Sequence, residues 1–374
     1  MIDTTTFYNA LTSRGIDFFT GVPDSLLKDI CAYISDNAPE ERHIIAANEG
    51  ASVGLAVGSY LASGKTPLVY MQNSGFGNTL NPLLSIADDA VYGIPMLLLI
   101  GWRGEPGVKD EPQHVRQGEV SEDLLKAMKI SYQIIDQGSD IEEVLDKALK
   151  TAMEQGKPYA LLVRKGTFEK YKLKKDSTSS FPLDREGAVK LIVDRLGEKD
   201  IVVSTTGKTS REVFEHRVAL GQSHEKDFLT VGAMGHTSSI AMGIAIEKPN
   251  RSVFCLDGDG SVIMHMGSLA INGMMKNLNN FKHIVINNGA HDSVGGQPTV
   301  GFDIDFVGVA KSNGYTLSLT ASEVDDIENK LDALMNHSGR AFLEIKVNKG
   351  AREDLGRPTK TPKENKAAFQ EFLK

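Results

Sequence analysis

At 374 residues the chain exceeds one ordinary domain of about 100–200 residues, so two domains are expected. With 41% hydrophobic and 24% charged residues it can bury a sizeable core without staples, and its net charge of −8 speaks against nonspecific nucleic-acid binding. Two distant cysteines, Cys31 and Cys255, exclude a disulfide framework; no apolar run reaches the ~18 residues of a membrane span, and the opening Met-Ile-Asp-Thr-Thr-Thr lacks a signal peptide's basic and apolar segments, so a cytoplasmic home with no membrane partner is expected.

Short apolar runs that read as strands occur at residues 17–20, 43–46, 68–71, 96–100, 132–135 and 160–163. Most carry few charges, as strands covered on both faces do. The segments between them often have helical spacing, as in 141–153. After a polar, Ser-rich stretch the pattern resumes with runs at 201–204, 252–256, 283–286 and 341–345. This alternation predicts α/β units with doubly wound parallel sheets. The expected division is a first domain over 1–175, a linker over 176–184 and a second domain over 185–374. No internal sequence repeat is evident.

Several turns stand at predicted strand ends. Gly21-Val22-Pro23-Asp24-Ser25 follows the first strand. Asn48-Glu49-Gly50-Ala51 follows the second and opens a helix of small residues. Glu49 there is either a placed, buried carboxylate or an ordinary helix-initiating acid favoured by the macrodipole. Gly101-Trp102-Arg103-Gly104-Glu105 leads into a loop that concentrates Arg103, Lys109, His114 and Arg116. Arginine suits an anionic oxygen group because its planar fork makes paired hydrogen bonds, although solvated loop charges explain such residues equally well. In the second half, Thr206-Gly207-Lys208-Thr209-Ser210 could offer amides or hydroxyls to a phosphate, but it lacks the glycine spacing of a P-loop. Val231-Gly232-Ala233-Met234-Gly235 is a Gly-rich helix entry.

The most specific signal spans two strands. Asp257-Gly258-Asp259-Gly260-Ser261 ends one strand, and Asn287-Asn288-Gly289 ends the next, with 26 residues between Gly260 and Asn287. The glycines let backbone amides approach a diphosphate, and the following helix N-terminus favours its charge. Mg²⁺ takes oxygen ligands and often bridges phosphate to one or two side chains, which an Asp and an Asn at neighbouring strand ends could supply.

This Gly-Asp-Gly, 26-residue, Asn-Asn pattern resembles the signature of thiamine-diphosphate-dependent decarboxylases. The resemblance covers nearly the whole chain, as a pyrimidine-binding half followed by a diphosphate-binding half with no middle domain. It implies thiamine diphosphate and Mg²⁺ as cofactors. Asp259 and Asn288 would be side-chain Mg²⁺ ligands, with the Ala290 carbonyl as a third. Gly258, Gly260, Ser261, Gly207 and Lys208 would face the diphosphate. Met234 would prop the cofactor, the Gly232 carbonyl would accept from its amino group, and Glu49 would activate it by sharing a proton with the pyrimidine. Asp24, His114 or His291 would relay a proton during catalysis, in no settled order. The missing middle domain matches a smaller subgroup acting on phosphonopyruvate and sulfopyruvate. Within it, 3-phosphonopyruvate is the expected 2-oxo acid substrate, in phosphonate biosynthesis, with Arg103 and Arg116 as candidate phosphonate partners and sulfopyruvate as the alternative. A homodimer or larger assembly with shared active sites is implied.

Rival readings are weaker. Gly50-Ala51-Ser52-Val53-Gly54 matches the nucleophile elbow of serine hydrolases but comes very early and lacks an oxyanion loop. Gly75-Phe76-Gly77 lacks the third glycine of a dinucleotide fingerprint.

Overall fold

The computed structural model describes residues 1–175 and 179–374; positions 176–178 of the expected linker lie outside the described residues. The chain forms two compact units, one of residues 1–175 with Val294–Gln297, the other of 179–293 with Pro298–Lys374. The four residues Val294–Gln297, expected in the second domain, thus cluster with the first.

The first unit holds a six-stranded parallel sheet of β1 (Phe19–Gly21), β2 (His43–Ile45), β3 (Leu68–Gln72), β4 (Leu97–Gly101), β5 (Ser131–Ile135) and β6 (Tyr159–Val163), in the order β2-β1-β3-β4-β6-β5. Side chains alternate between its two faces. Phe19, Leu68, Tyr70, Leu97, Leu99, Leu161 and Val163 enter one core. Val69, Met71, Leu98, Ile100, Ala160 and Leu162 enter the other. Each such side chain contributes roughly 1.5–3 kcal/mol on full burial, so both faces must be covered by helices.

The second unit repeats the plan with β7 (Ile201–Ser204), β8 (Asp227–Leu229), β9 (Val253–Gly258), β10 (Phe281–Asn287), β11 (Leu317–Ala321) and β12 (Ala341–Lys346), ordered β11-β12-β10-β9-β7-β8. Read from β8, this is the strand order of the first sheet, although no sequence repeat announces it. Its faces again alternate, with Val202, Phe254, Leu256, Ile284 and Leu343 on one side and Ile201, Val203, Val253, Cys255 and Phe342 on the other.

Among the described residues, ten of the twelve strands coincide with runs expected from sequence. The two missed, β8 and β11, are edge strands, each paired with a single neighbour. Strand β8 opens with Asp227, which is fully buried because Arg217 meets it through two 3.0 Å hydrogen bonds. An acid at the start of a three-residue strand hides the apolar pattern that sequence reading relies on.

The register of β9 against β10 brings Ile286 opposite Gly258. Asp259 and Asn288 therefore leave the sheet side by side. In both units the strand order reverses between the first and third strands, β1/β3 and β7/β9. Open α/β sheets bind ligands beyond the carboxyl ends of strands at such switch points. Among the described residues no helix is long and apolar enough to cross a membrane.

Candidate active site

In the first unit the helix Glu49–Ser63 starts where β2 ends. Asn48 caps it by accepting from the Ala51 amide at 2.9 Å, and Gly64 closes it in the left-handed conformation, φ +70°. Its small residues allow close packing: a Cβ on Gly50 would lie 2.7 Å from the Asn78 carbonyl oxygen. Ser52 is fully buried inside this helix, and its Oγ donates to the Asn48 carbonyl. A hydrolase nucleophile must stand exposed on a strand–helix turn, so the Gly-x-Ser-x-Gly match reflects helix packing.

Glu49 is 6% exposed and accepts a 2.6 Å hydrogen bond from Asn78 Nδ2. A Cβ at residue 75 would sit 2.8 Å from Glu49 Oε1, so Gly75 leaves the carboxylate its place. Glu49 is a placed, buried acid.

Asp24 is fully buried. Its Oδ2 accepts from the amides of Leu26 and Leu27 at 2.9 and 3.3 Å, while Oδ1 has no partner among the described residues. Burial pushes its pKa up to about 6, against the pull of the backbone amides and Arg103. Only glycine fits at 101, since a Cβ there would lie 2.0 Å from Asp24 Oδ2.

The loop after β4 differs from expectation. Arg103 does not offer a free fork: Nε and Nη2 both bind Asp110, at 2.7 and 2.5 Å, and Nη1 donates to Ser25 Oγ at 2.7 Å. Burial raises the Asp110 pKa, but Arg103 and nearby amides outweigh it and hold the carboxyl well below the usual range. Asp110 also contacts His114 Nδ1 at 3.1 Å. Burial lowers the His114 pKa despite that contact. Arg116 is not brought to this cluster. The helix Pro112–Ala127 buries His114, Gly118, Ser121 and Leu125, and Arg116, two residues past His114, projects from the other side. Its side chain is 85% exposed and pairs with Glu119.

In the second unit three loops converge. Gly207 takes φ +98° ahead of the helix Lys208–Ala219. Thr206 Oγ1 accepts from the Gly232 amide at 3.0 Å, and Ser261 Oγ accepts from the Gly235 amide at 3.1 Å. Gly232, Ala233 and Gly235 all have positive φ, so Met234 is presented on a tight turn that strains Ala233 at φ +48°. A Cβ on Gly260 would lie 3.3 Å from His291 Nδ1 and 3.5 Å from Met234 Cε, so these two side chains pack at the glycine. Burial pushes the His291 pKa down to about 4. His236 and His265 stack on each other at 4.5 Å beside Gly235. The Lys208 ammonium is already engaged, donating to the Asp292 carbonyl at 3.1 Å. Asp292 in turn is held by buried Arg185, which also grips Glu212.

Each polar pair of the two-strand motif divides its labour. Asp257 turns into the core, 3.5 Å from His283 Nε2, and Asn287 is spent on Gly301 O and Glu344, both at 2.7 Å. Asp259 and Asn288 are left, 2% and 6% exposed. Burial pushes the Asp259 pKa up to about 6, against hydrogen bonds from Thr299 and from the amides of Asn288 and Gly260. No described Lys, Arg or His pairs with it. The Asn288 Oδ1 accepts from the Ala290 amide at 3.2 Å. A buried carboxylate with no described protein cation, at a strand end next to the one that leads into Asn288, offers the oxygen chemistry that Mg²⁺ takes. Sequence reading missed Asn78, Asp110 and Thr299. Only Asp110 carries a signal, its i,i+4 spacing to His114.

The chain matches the family model of the thiamine pyrophosphate enzyme N-terminal TPP binding domain over residues 4–127 and that of the C-terminal TPP binding domain over 206–345. Phosphonopyruvate decarboxylase of Streptomyces viridochromogenes is 32% identical to it over 390 aligned residues, covering 100% of this chain and 95% of that protein. The Streptomyces hygroscopicus protein of the same name is 32% identical, with 100% and 94% covered. Sulfopyruvate decarboxylase of Methanosarcina acetivorans is 28% identical, with 77% and 76% covered. Likeness along its whole length, with both cofactor-binding domains in order, means that the chain belongs to the thiamine pyrophosphate enzyme family, in the group that includes the phosphonopyruvate and sulfopyruvate decarboxylases.

Proposed function

We propose that the chain is a cytoplasmic carboxy-lyase that converts 3-phosphonopyruvate to phosphonoacetaldehyde and CO₂ with thiamine diphosphate and Mg²⁺, as a homodimer or larger assembly with shared active sites. The observation that carries this reading is the full-length likeness to two phosphonopyruvate decarboxylases. The buried Glu49 and the Asp259–Asn288 pair agree with it.

When bound, the cofactor supplies an electron sink for the carbanion left by loss of CO₂. Asp259, Asn288 and the Ala290 carbonyl would hold Mg²⁺. Gly207, Gly258, Gly260 and Ser261 would admit the diphosphate, with Lys208 near it through Asp292. Gly232 and Met234 would seat the cofactor's other end. Glu49, buried against Asn78, would hold the proton that the pyrimidine shares. Asp24, His114 and His291 are the three candidate proton carriers; burial raises the Asp24 pKa and lowers those of both histidines. The 28% identity to a sulfopyruvate decarboxylase keeps sulfopyruvate as the second substrate reading.

Cofactor-depleted protein given phosphonopyruvate should release CO₂ only after both thiamine diphosphate and Mg²⁺ are restored, with phosphonoacetaldehyde as the phosphorus-containing product by NMR. No CO₂ with both present, or equal CO₂ without either, would remove this reading.

A further inference from the structure

The first unit contains a cavity of about 200 Å³ beyond the end of β4. Its walls include Ser25, Leu26, Trp102, Arg103, Lys109 and Lys165. Ser25 and Leu26 continue the turn that buries Asp24, so the cavity adjoins that carboxyl. A larger cavity of about 450 Å³, lined by Lys129, Tyr132, Lys147 and Tyr159, lies at the amino ends of β5 and β6, away from the end where such sheets bind ligands.

The charges around the smaller cavity can be paired off. Arg103 is neutralised by Asp110 through two hydrogen bonds. Glu105 is neutralised by Arg164 at 2.8 Å. Lys109 and Lys165 remain, and among the described residues neither forms an ion pair. Two lysines without an ion pair among the described residues therefore line one small cavity whose other charges are closed. An ammonium is a mobile point charge and a common phosphate partner. A phosphonate of net charge near −2 would match this pair, whereas a sulfonate brings only −1.

We infer that Lys109 and Lys165 seat the phosphonate of the substrate and set the preference for a doubly charged tail, in place of Arg103 and Arg116. Arg103 instead braces the loop through Asp110 and Ser25. This inference rests on the phosphonopyruvate reading for its substrate, but the cavity can be probed without turnover.

Trp102 lines the cavity and is the chain's single tryptophan, so its fluorescence reports occupancy. Holoenzyme titrated with phosphonoacetate, which has the phosphonate but no 2-oxo group, should show a saturable change in emission. Lys109→Gln and Lys165→Gln should each weaken that binding at least tenfold, and Lys→Arg at either position should restore most of it. Sulfoacetate should bind the wild type more weakly and lose less in the variants. In steady state the Gln variants should raise KM for phosphonopyruvate and leave pyruvate unchanged. Both lysines are exposed, so these changes do not threaten the fold. Unchanged phosphonoacetate affinity in both Gln variants, or no binding to the wild type, overturns the inference even if phosphonopyruvate is turned over. Lysine-dependent binding without phosphonopyruvate turnover would instead overturn the proposed reaction and leave the phosphonate site standing.

Discussion

Asp259→Ala should abolish retention of the Mg²⁺–thiamine diphosphate complex while leaving the chain folded. The carboxylate is 2% exposed and has no described cationic partner, so its charge is available to a metal. Losing a ligand outright should cost more than the roughly 10–100-fold typical of losing a group that only orients one, so the Kd should rise at least 100-fold. The apo protein should behave in the opposite sense. Asp259 has its folded pKa raised from 3.8 to about 6 by burial. The resulting stabilisation is complete below pH 3.8 and is lost as pH rises through about 6. The variant lacks this dependence, so its Tm relative to wild type should improve between pH 4 and 7, by an amount equivalent to about 1–3 kcal/mol. Adding Mg²⁺ and cofactor at pH 7 should then raise the Tm of the wild type alone. Calorimetric titration and thermal melts read both halves; undiminished cofactor affinity would move the metal site elsewhere.

Glu49→Gln should strike chemistry rather than anchoring. Glutamine keeps the shape beside Gly75 and can still accept from Asn78, so the local packing survives. It cannot share a proton as a carboxyl does. A general acid–base contribution is typically about 10²–10⁴-fold, and kcat should fall by that order with cofactor affinity within a few fold. Proton exchange at the cofactor's thiazolium carbon, followed by NMR after rapid quench, should slow in parallel. An exchange rate equal to wild type would take the activating role away from Glu49.

Much of this site could be read from the chain because its residues sit at strand ends, where local pattern and ligand position coincide. Asp259 and Asn288 are brought together by parallel register between adjacent strands, and a fixed 26-residue spacing records that register. Glu49 is legible for the same reason, standing between a strand and a helix of small residues. What the chain does not announce lies where a side chain's partner is remote or where a helical face has to be followed. Nothing near Asn78 or Thr299 in sequence announces that each will bind a buried carboxylate. The pairing of Arg103 with Asp110, seven residues on, is not announced either, because Asp110 reads as an ordinary loop acid. The exposed setting of Arg116 is itself legible. Pro112 opens a helix, and the spacing of His114, Gly118, Ser121 and Leu125 already turns Arg116 outward. The edge strands β8 and β11 carry too little apolar pattern to be seen alone.

Among 2-oxo acids, this chain should prefer phosphonopyruvate. The most direct test is kcat/KM for phosphonopyruvate, sulfopyruvate and pyruvate on one preparation of holoenzyme. A site built to pair a charged group rejects an analogue lacking it far more strongly than one missing a methylene. Phosphonopyruvate should therefore exceed sulfopyruvate by at least about tenfold and pyruvate by at least about a hundredfold. A higher kcat/KM for sulfopyruvate, or turnover of pyruvate equal to that of phosphonopyruvate, would contradict it.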